Sequence, residues 1–270
     1  MQSLDLTKAL QLSHGGRELA AVAHLGATRW QAPAAPVTPI SAWYCTGPGR
    51  IPIRCLAADA VLSGGNVQRV PNAGGAGALF DLIAGTGSIT LTDGALDLTP
   101  DEYFRFSNVA SNAAPDLMGT TMFMVADMRN VTSDQYIFGI GSPQTDILLR
   151  AGGNVMRFNR RSEVTNQFET VDIPLSPAVA PVRRLYEISV SAAGPITITM
   201  NGDLRGSGSH PGWPSLRAWN FASGRNPVNA TGLNTLVYDI ASLVHGGEHD
   251  ARHLDVRARL NELHGLGMAT

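Results

Sequence analysis

The run from Val61 to Phe106 constrains this chain more than any other part of it. It passes from a polar, glycine-rich approach (Gly64-Gly65-Asn66-Val67) through short alternating runs into GALDLTPDEYFRF. There Ala95, Asp97, Thr99 and Asp101 alternate with apolar or turn residues, and Tyr103, Phe104 and Phe106 follow. Such a period of two, with one face apolar and one wet, is the pattern of antiparallel strands packed on one side. A second run, TTMFMVADMRNVTSDQYIFGIG from Thr120 to Gly141, predicts a central hairpin with strands over 121–128 and 136–140.

Further strands are predicted over 40–44, 88–91 and 102–106. A meander over 146–150, 155–159 and 169–173 comes next. Strands over 183–191 and 196–200 are joined by Ala192-Ala193-Gly194-Pro195, a strong turn signal. Asn201-Gly202 is a type I′ hairpin signature that returns the chain through 203–206. Strands over 216–221 and 234–240 complete the set. A helix is predicted from His249, with Leu254, Ala258, Leu260 and Leu263 at near-helical spacing and Gly265 and Gly267 to stop it.

The order and spacing of Gly64-Gly65-Asn66-Val67, Asp97 to Phe106, Met122 to Arg129, Met200-Asn201-Gly202 and Leu233 to Leu266 resemble the concanavalin A-like, laminin-G-like jelly roll. The resemblance covers residues 40–266. It implies an all-β protein, a two-sheet antiparallel jelly-roll sandwich whose short C-terminal helix covers one end in a structural role.

Residues 1–31 read as a separate small unit. Two apolar runs, 6–12 and 19–25, are split by His14-Gly15-Gly16, which predicts a β-hairpin. Good helix formers over 17–25 leave a helix as the alternative. Gly16-Arg17-Glu18-Leu19 and Ala23-His24-Leu25-Gly26-Ala27-Thr28-Arg29-Trp30 resemble a unit of many bacteriophage tail and fibre proteins, with Ala23 and His24 where that family has an aromatic residue. Three prolines in residues 31–39 (QAPAAPVTP) predict an extended spacer. The expected organisation is therefore an anchoring unit over 1–31, a linker over 32–39 and a jelly roll over 40–270.

Charge narrows the function. A net charge of −2 and a pI near 6.4 argue against a nucleic-acid footprint, which needs a basic face. No apolar run reaches the roughly 18 residues of a membrane span. The opening MQSLDLTKALQL has an acid where a signal peptide is basic, so a soluble, unexported protein is expected. Lys8 is the only lysine, against nineteen arginines, a bias that points to a GC-rich bacterial genome. Cys45 and Cys55 admit two readings, a hairpin disulfide or two separately buried thiols.

Catalytic patterns are poorly met. His245, Glu248 and His249 match H-x-x-E-H, with His253 one helical turn on. Gly246-Gly247 inside the motif works against the continuous helix that zinc chemistry needs. Retaining glycosidases need two carboxylates about 5 Å apart. Only seven glutamates occur, none is two residues from another acid within a predicted strand, and Asp97 with Asp101 flanks a proline. There is no G-x-S-x-G elbow. Gly74-Gly75-Ala76-Gly77 and Gly85-Thr86-Gly87 lack the Lys-Ser/Thr of a phosphate loop and read as turns. Calcium would need Asp127, Asn130, Asp134 and Asp146 to converge, and no loop is dense enough in oxygens. No catalytic residue, metal or cofactor is expected.

A carbohydrate-binding surface fits better, because sugars stack on exposed aromatics and take forked hydrogen bonds from Arg, Asn and Asp. The loop GSGSHPGWPSLRAWN displays Trp213 between Gly212 and Pro214 with His210 nearby, although a core role for Trp213 is equally open. Asn159, Arg160 and Arg161, at a predicted hairpin tip, form a second exposed candidate. Trp219 and Tyr136 read as core. The two resemblances together imply a virion protein, a fibre, spike or tail-tip subunit of a bacteriophage or gene transfer agent, assembled in the bacterial cytoplasm. Its expected partners are other virion proteins, itself as a trimer or pentamer, and host capsule or surface polysaccharide. A purely architectural part is the alternative, and a polysaccharide hydrolase the third.

Overall fold

The computed structural model describes residues 12–14, 17–19, 53–86, 88–107, 116–129, 132–139, 145–180, 182–218, 220–222, 233–244 and 251–268. The chain divides into two compact units, Met1–Trp43 and Tyr44–Thr270. In the first, β1 (Leu12–His14) and β2 (Arg17–Leu19) form an antiparallel hairpin in which His14 faces Arg17 across the predicted Gly15-Gly16 turn. The spacer over 31–39, the strand over 40–44, Cys45, Asn130, Trp219, His245, Glu248 and His249 lie outside the described residues.

The second unit opens with β3 (Arg54–Leu56), β4 (Val61–Ser63), β5 (Asn66–Val70) and β6 (Leu82–Thr86). Next come β7 (Thr90–Thr92), β8 (Ala95–Leu98), β9 (Tyr103–Phe106) and β10 (Thr120–Met128). A meander of β11 (Gln135–Gly139), β12 (Thr145–Leu149), β13 (Val155–Arg161) and β14 (Phe168–Pro174) follows. Then come β15 (Arg183–Val190), β16 (Pro195–Met200), β17 (Asp203–Ser209), β18 (Asn220–Phe221) and β19 (Thr235–Val244), and last the helix α1 (Ala251–His264).

Among the described residues these strands make two antiparallel sheets. One runs β17-β16-β15-β10-β19-β8-β7, with β3 also paired to β19; the other runs β14-β13-β12-β11-β18-β9-β6-β5-β4. Alternate residues of both sheets meet in one core, including Met122, Met124, Tyr186, Ile188 and Ile240 from the first, and Phe104, Phe138, Ile147, Phe158 and Phe221 from the second. Asn201 and Gly202, both at positive φ, make the expected turn between β16 and β17.

The expected central hairpin is corrected. β10 pairs with β15 and β19, whereas β11 pairs with β12 and β18 in the opposite sheet. The two strands thus lie in opposite layers, roughly 10 Å apart, and are not hydrogen-bonded to each other as a hairpin. The composition of β10 agrees, because MFMVA is an unbroken apolar run and is buried on both faces.

Both flanks of the sandwich are closed by main-chain bonds. On one, the Ser176 N–H, just past edge strand β14, donates to the Arg205 carbonyl in edge strand β17 at 2.9 Å. Gly206 permits the approach: a Cβ there would lie 2.4 Å from the Pro174 carbonyl. On the other, the Val67 N–H in β5 donates to the Ile89 carbonyl beside edge strand β7 at 2.7 Å.

α1 covers the outer face of the first sheet, with a different set of residues inward than expected. His253, Val256 and Leu260 are buried and Arg257 is half-buried, whereas Leu254 is 60% exposed and Leu263 and Ala258 are also exposed. Two carboxylates on the sheet select this face. Glu187 accepts from His253 Nε2 and from Arg257 Nε at 2.8 Å, and Asp239 accepts from His264 Nε2 at 2.9 Å and pairs with Arg54. Burial alone would raise the Glu187 carboxyl, but the His253 and Arg257 hydrogen bonds outweigh it and hold it below the usual carboxylate range. Gly265, at φ +58°, ends the helix, and the Leu266 N–H returns to the Asn261 carbonyl. No helix among the described residues is long and apolar enough to cross a membrane.

Candidate functional site

The outer face of the second sheet is built by register. Val61 faces Arg69, Arg69 faces Ile83, Ile83 faces Arg105, and Arg105 faces Asn220. Asn220 faces Gly139, Gly139 faces Asp146, Asp146 faces Asn159, and Asn159 faces Thr170. Each of the nine strands thus gives one residue to a single row. The next row, shifted by one residue, holds Phe104, Phe221, Phe138, Ile147 and Phe158, all in the core. Because side chains alternate across a strand, an apolar row inside places this mixed, mostly polar row outside.

The row changes character along its length. At one end Val61, Arg69, Ile83 and Arg105 are exposed; at the centre Asn220, Gly139 and Asp146 are buried; at the far end Asn159 is half-buried and Thr170 exposed. Beside Asn159, two residues along β13 in each direction, stand Arg157 and Arg161 on the same face, each about 6.6 Å away along the strand. Arg157 grips Asp172 across β14 through two bonds of 2.6 Å. The first cause of the lowered Asp172 carboxyl is this hydrogen bond, which also raises the Arg157 guanidinium. Thr170 Oγ1 donates to Asn159 Oδ1 at 2.9 Å. Arg161 donates to the Asn166 carbonyl at 3.1 Å and lies 5.9 Å from the centre of the Phe168 ring, which is 38% exposed. An exposed aromatic, guanidinium forks, an amide and a hydroxyl therefore share one outward face.

The proposed site residues divide in two. Asn159 and Arg161 lie on this face. Arg160, between them, points inward, is 3% exposed and donates from Nε to the Ser215 carbonyl at 2.9 Å. The three residues belong to a strand, so their side chains alternate instead of fanning out from a hairpin tip.

The expected display of Trp213 and His210 is also corrected. Trp213 is 3% exposed and joins the inter-sheet core, and His210 is 4% exposed. Gly212, at φ +81°, turns the chain so that the indole packs inward. The rings stack at 5.3 Å with an interplanar angle of 13°. The Trp213 backbone N–H donates to His210 Nδ1 at 3.0 Å, so Nε2 carries the proton donated to the Ser191 carbonyl at 2.8 Å.

Other candidate groups are committed elsewhere. Asp127 is on the first sheet and Asp146 on the second, while Asp134 takes the Ala151 N–H at 2.9 Å and pairs with Arg150, so these acids do not converge. Asp97 accepts from Thr92 and Arg129. His253 is held against Glu187, and no cluster of three or more His, Cys, Asp or Glu suited to a metal occurs among the described residues. Cys55 is a buried free thiol whose pKa burial pushes up. Gly85 lies inside β6, not in a turn.

Sequence reasoning missed Arg105, Asn220, Asp146 and Thr170 as one surface. Each is a polar position next to core residues (Phe104-Arg105-Phe106, Asn220-Phe221, Asp146-Ile147), a signal present in the chain. Which strands are neighbours is not.

No protein-family model matches the sequence, and no curated protein matches it. Among solved structures, the binding domain of botulinum neurotoxin serotype G superposes with a TM-score of 0.53 at 12% identity, over 78% of this chain and 51% of that one. The fold is a jelly-roll sandwich. A Ruminococcus gnavus sialidase carbohydrate-binding module bound to α2,3-sialyllactose matches at a TM-score of 0.45 and 9% identity, over 60% of this chain and 95% of that one. A botulinum neurotoxin serotype D ligand-binding domain in complex with N-acetylneuraminic acid matches at 0.47 and 11%, over 74% of this chain and 50% of that one. The chain thus spans about half the length of the neurotoxin structures. At these identities the likeness is one of fold.

Proposed function

We propose that this chain is a glycan-binding subunit of a bacteriophage or gene-transfer-agent appendage, with the outer face of the second sheet as its binding surface and no catalytic role. The observation that carries the binding role is the cluster of Asn159, Thr170, Arg161 and Phe168 on one outward face. It combines a partly exposed ring with fixed hydrogen-bonding groups. Sugar recognition draws on these two chemistries together.

The virion role rests on the sequence. In this reading residues 1–31 anchor the subunit, 32–39 space it, and residues 40–270 face the host polysaccharide. The described residues of this unit form a hairpin of two three-residue strands, a piece too small to be stable alone; in this reading neighbouring copies in a trimer or pentamer and other virion proteins hold it.

Glycan-array or capsule binding by the full chain tests the first half. Binding that falls at least tenfold in Asn159→Ala/Arg161→Ala, with the melting temperature kept, supports the reading; no binding to any glycan overturns it. Release of reducing ends from a bound polysaccharide would replace it with a hydrolase. Antibody labelling of phage-like particles tests the second half, and particles free of the chain would overturn it.

One observation favours a purely architectural part. The edge strand β4 exposes all three of its residues, two of them apolar (Val61 and Leu62), a surface suited to a neighbouring subunit.

A further inference from the structure

The cationic end of the same row carries more information about the ligand, given the glycan-binding reading above. Arg105 is exposed between Ile83 and Asn220 and has no carboxylate partner among the described residues, whereas Arg54, Arg69, Arg129, Arg150 and Arg157 each have one. Its Nη2 donates instead to the Tyr103 hydroxyl at 2.8 Å, with its guanidinium carbon 5.5 Å from the centre of that ring. Tyr103 is itself buried, and its ring occupies the space a Cβ on Gly85 would need, 2.3 Å from Cε2. A neutral acceptor orients a guanidinium without cancelling its charge. The remaining N–H groups stay available for a planar anion, which they match as a two-pronged fork.

Arg69 stands two strands away in the same row, about 9.5 Å at ordinary strand spacing, with the exposed Ile83 between them. Arg69 is also exposed, and its ion pair with Asp81 is loose at 3.4 Å. Two positive charges bracketing an apolar side chain suit a polymer whose acid groups recur at that interval and whose intervening ring packs on carbon.

We propose that Arg105, positioned by Tyr103, binds the carboxylate of an acidic sugar, so that the polysaccharide recognised by this face is anionic.

An array of acidic and neutral bacterial polysaccharides, probed with the full chain, tests this. The best acidic binder is compared with the same polymer after its carboxyl groups have been reduced to alcohols. The expected result is binding confined to acidic polymers, at least tenfold weaker on the reduced form. Arg105→Gln should cost about tenfold with an unchanged melting temperature, and Tyr103→Phe should cost less. The Arg105→Gln variant should also flatten the salt dependence of binding, which a merely structural role would leave alone. Binding that is indifferent to carboxyl reduction and to Arg105→Gln, yet still lost in Asn159→Ala/Arg161→Ala, overturns this inference and leaves the glycan-binding reading intact. Absence of binding to every polymer overturns both.

Discussion

Tyr103 lies against Gly85: a Cβ added to that glycine would fall 2.3–2.7 Å from three ring carbons of the tyrosine. The two are near neighbours across the β6–β9 pair, where the register slips between Ala84 and Thr86. The slip and the missing side chain together let the ring settle on the sheet and hold its hydroxyl toward Arg105.

Gly85→Ala should therefore lower stability by about 1–3 kcal/mol, because the added methyl has no room unless the ring moves. Urea denaturation would show this as a lower midpoint with an unchanged slope. An unchanged midpoint would mean that the ring moves aside without cost.

Trp213→Ala separates a core residue from a surface one. A buried indole replaced by a methyl should cost about 3–5 kcal/mol and lower the melting temperature by several degrees, with glycan affinity kept in the fraction that folds. Loss of affinity at an unchanged melting temperature would instead restore Trp213 as a contact residue.

Glu187→Ala leaves His253 and Arg257 facing an apolar gap, and a broken buried pair costs about 3–5 kcal/mol. The pH dependence has a definite sign. Because the folded Glu187 carboxyl is held below its ordinary value, its contribution is present above about pH 4 and is lost as pH falls through the depressed folded value. Acid titration of stability should be shallower in Glu187→Gln than in the parent chain, and equal slopes would count against the pair.

The Arg157–Asp172 pair is well formed but open to water, so a double-mutant cycle should give about 0.2–1 kcal/mol of coupling, falling with added salt. A coupling of several kcal/mol would mean that this face is covered in solution.

Strand positions were legible wherever period-two alternation was strong, as in Val155-Met156-Arg157-Phe158-Asn159, and so was the Asn201-Gly202 turn. Partnership was not. β10 and β11 read as a hairpin because they are consecutive, but nothing local to either run tells which sheet it joins. β3 to β6 are short and rich in turn-forming residues. Their loops are held by contacts between distant residues, such as Asn72 accepting the Arg54 N–H at 2.7 Å and Asp81 accepting the Asn72 N–H at 2.8 Å. The inward face of α1 was misjudged for a related reason. Hydrophobicity pointed to Leu254 and Leu263, while the carboxylates that draw in His253, Arg257 and His264 belong to β15 and β19. Trp213 shows the limit of reading exposure from turn composition, since Gly212 can aim an indole either way.

The bonds from Ser176 to Arg205 and from Val67 to Ile89 make the two layers a flattened tube sewn along both seams. Plates held only by oily contact can slide past one another under load, whereas a seamed tube must rupture backbone links on opposite sides before its walls shift. Tugging on one wall is thus shared by the other, and the body should yield in a single abrupt event instead of peeling layer by layer.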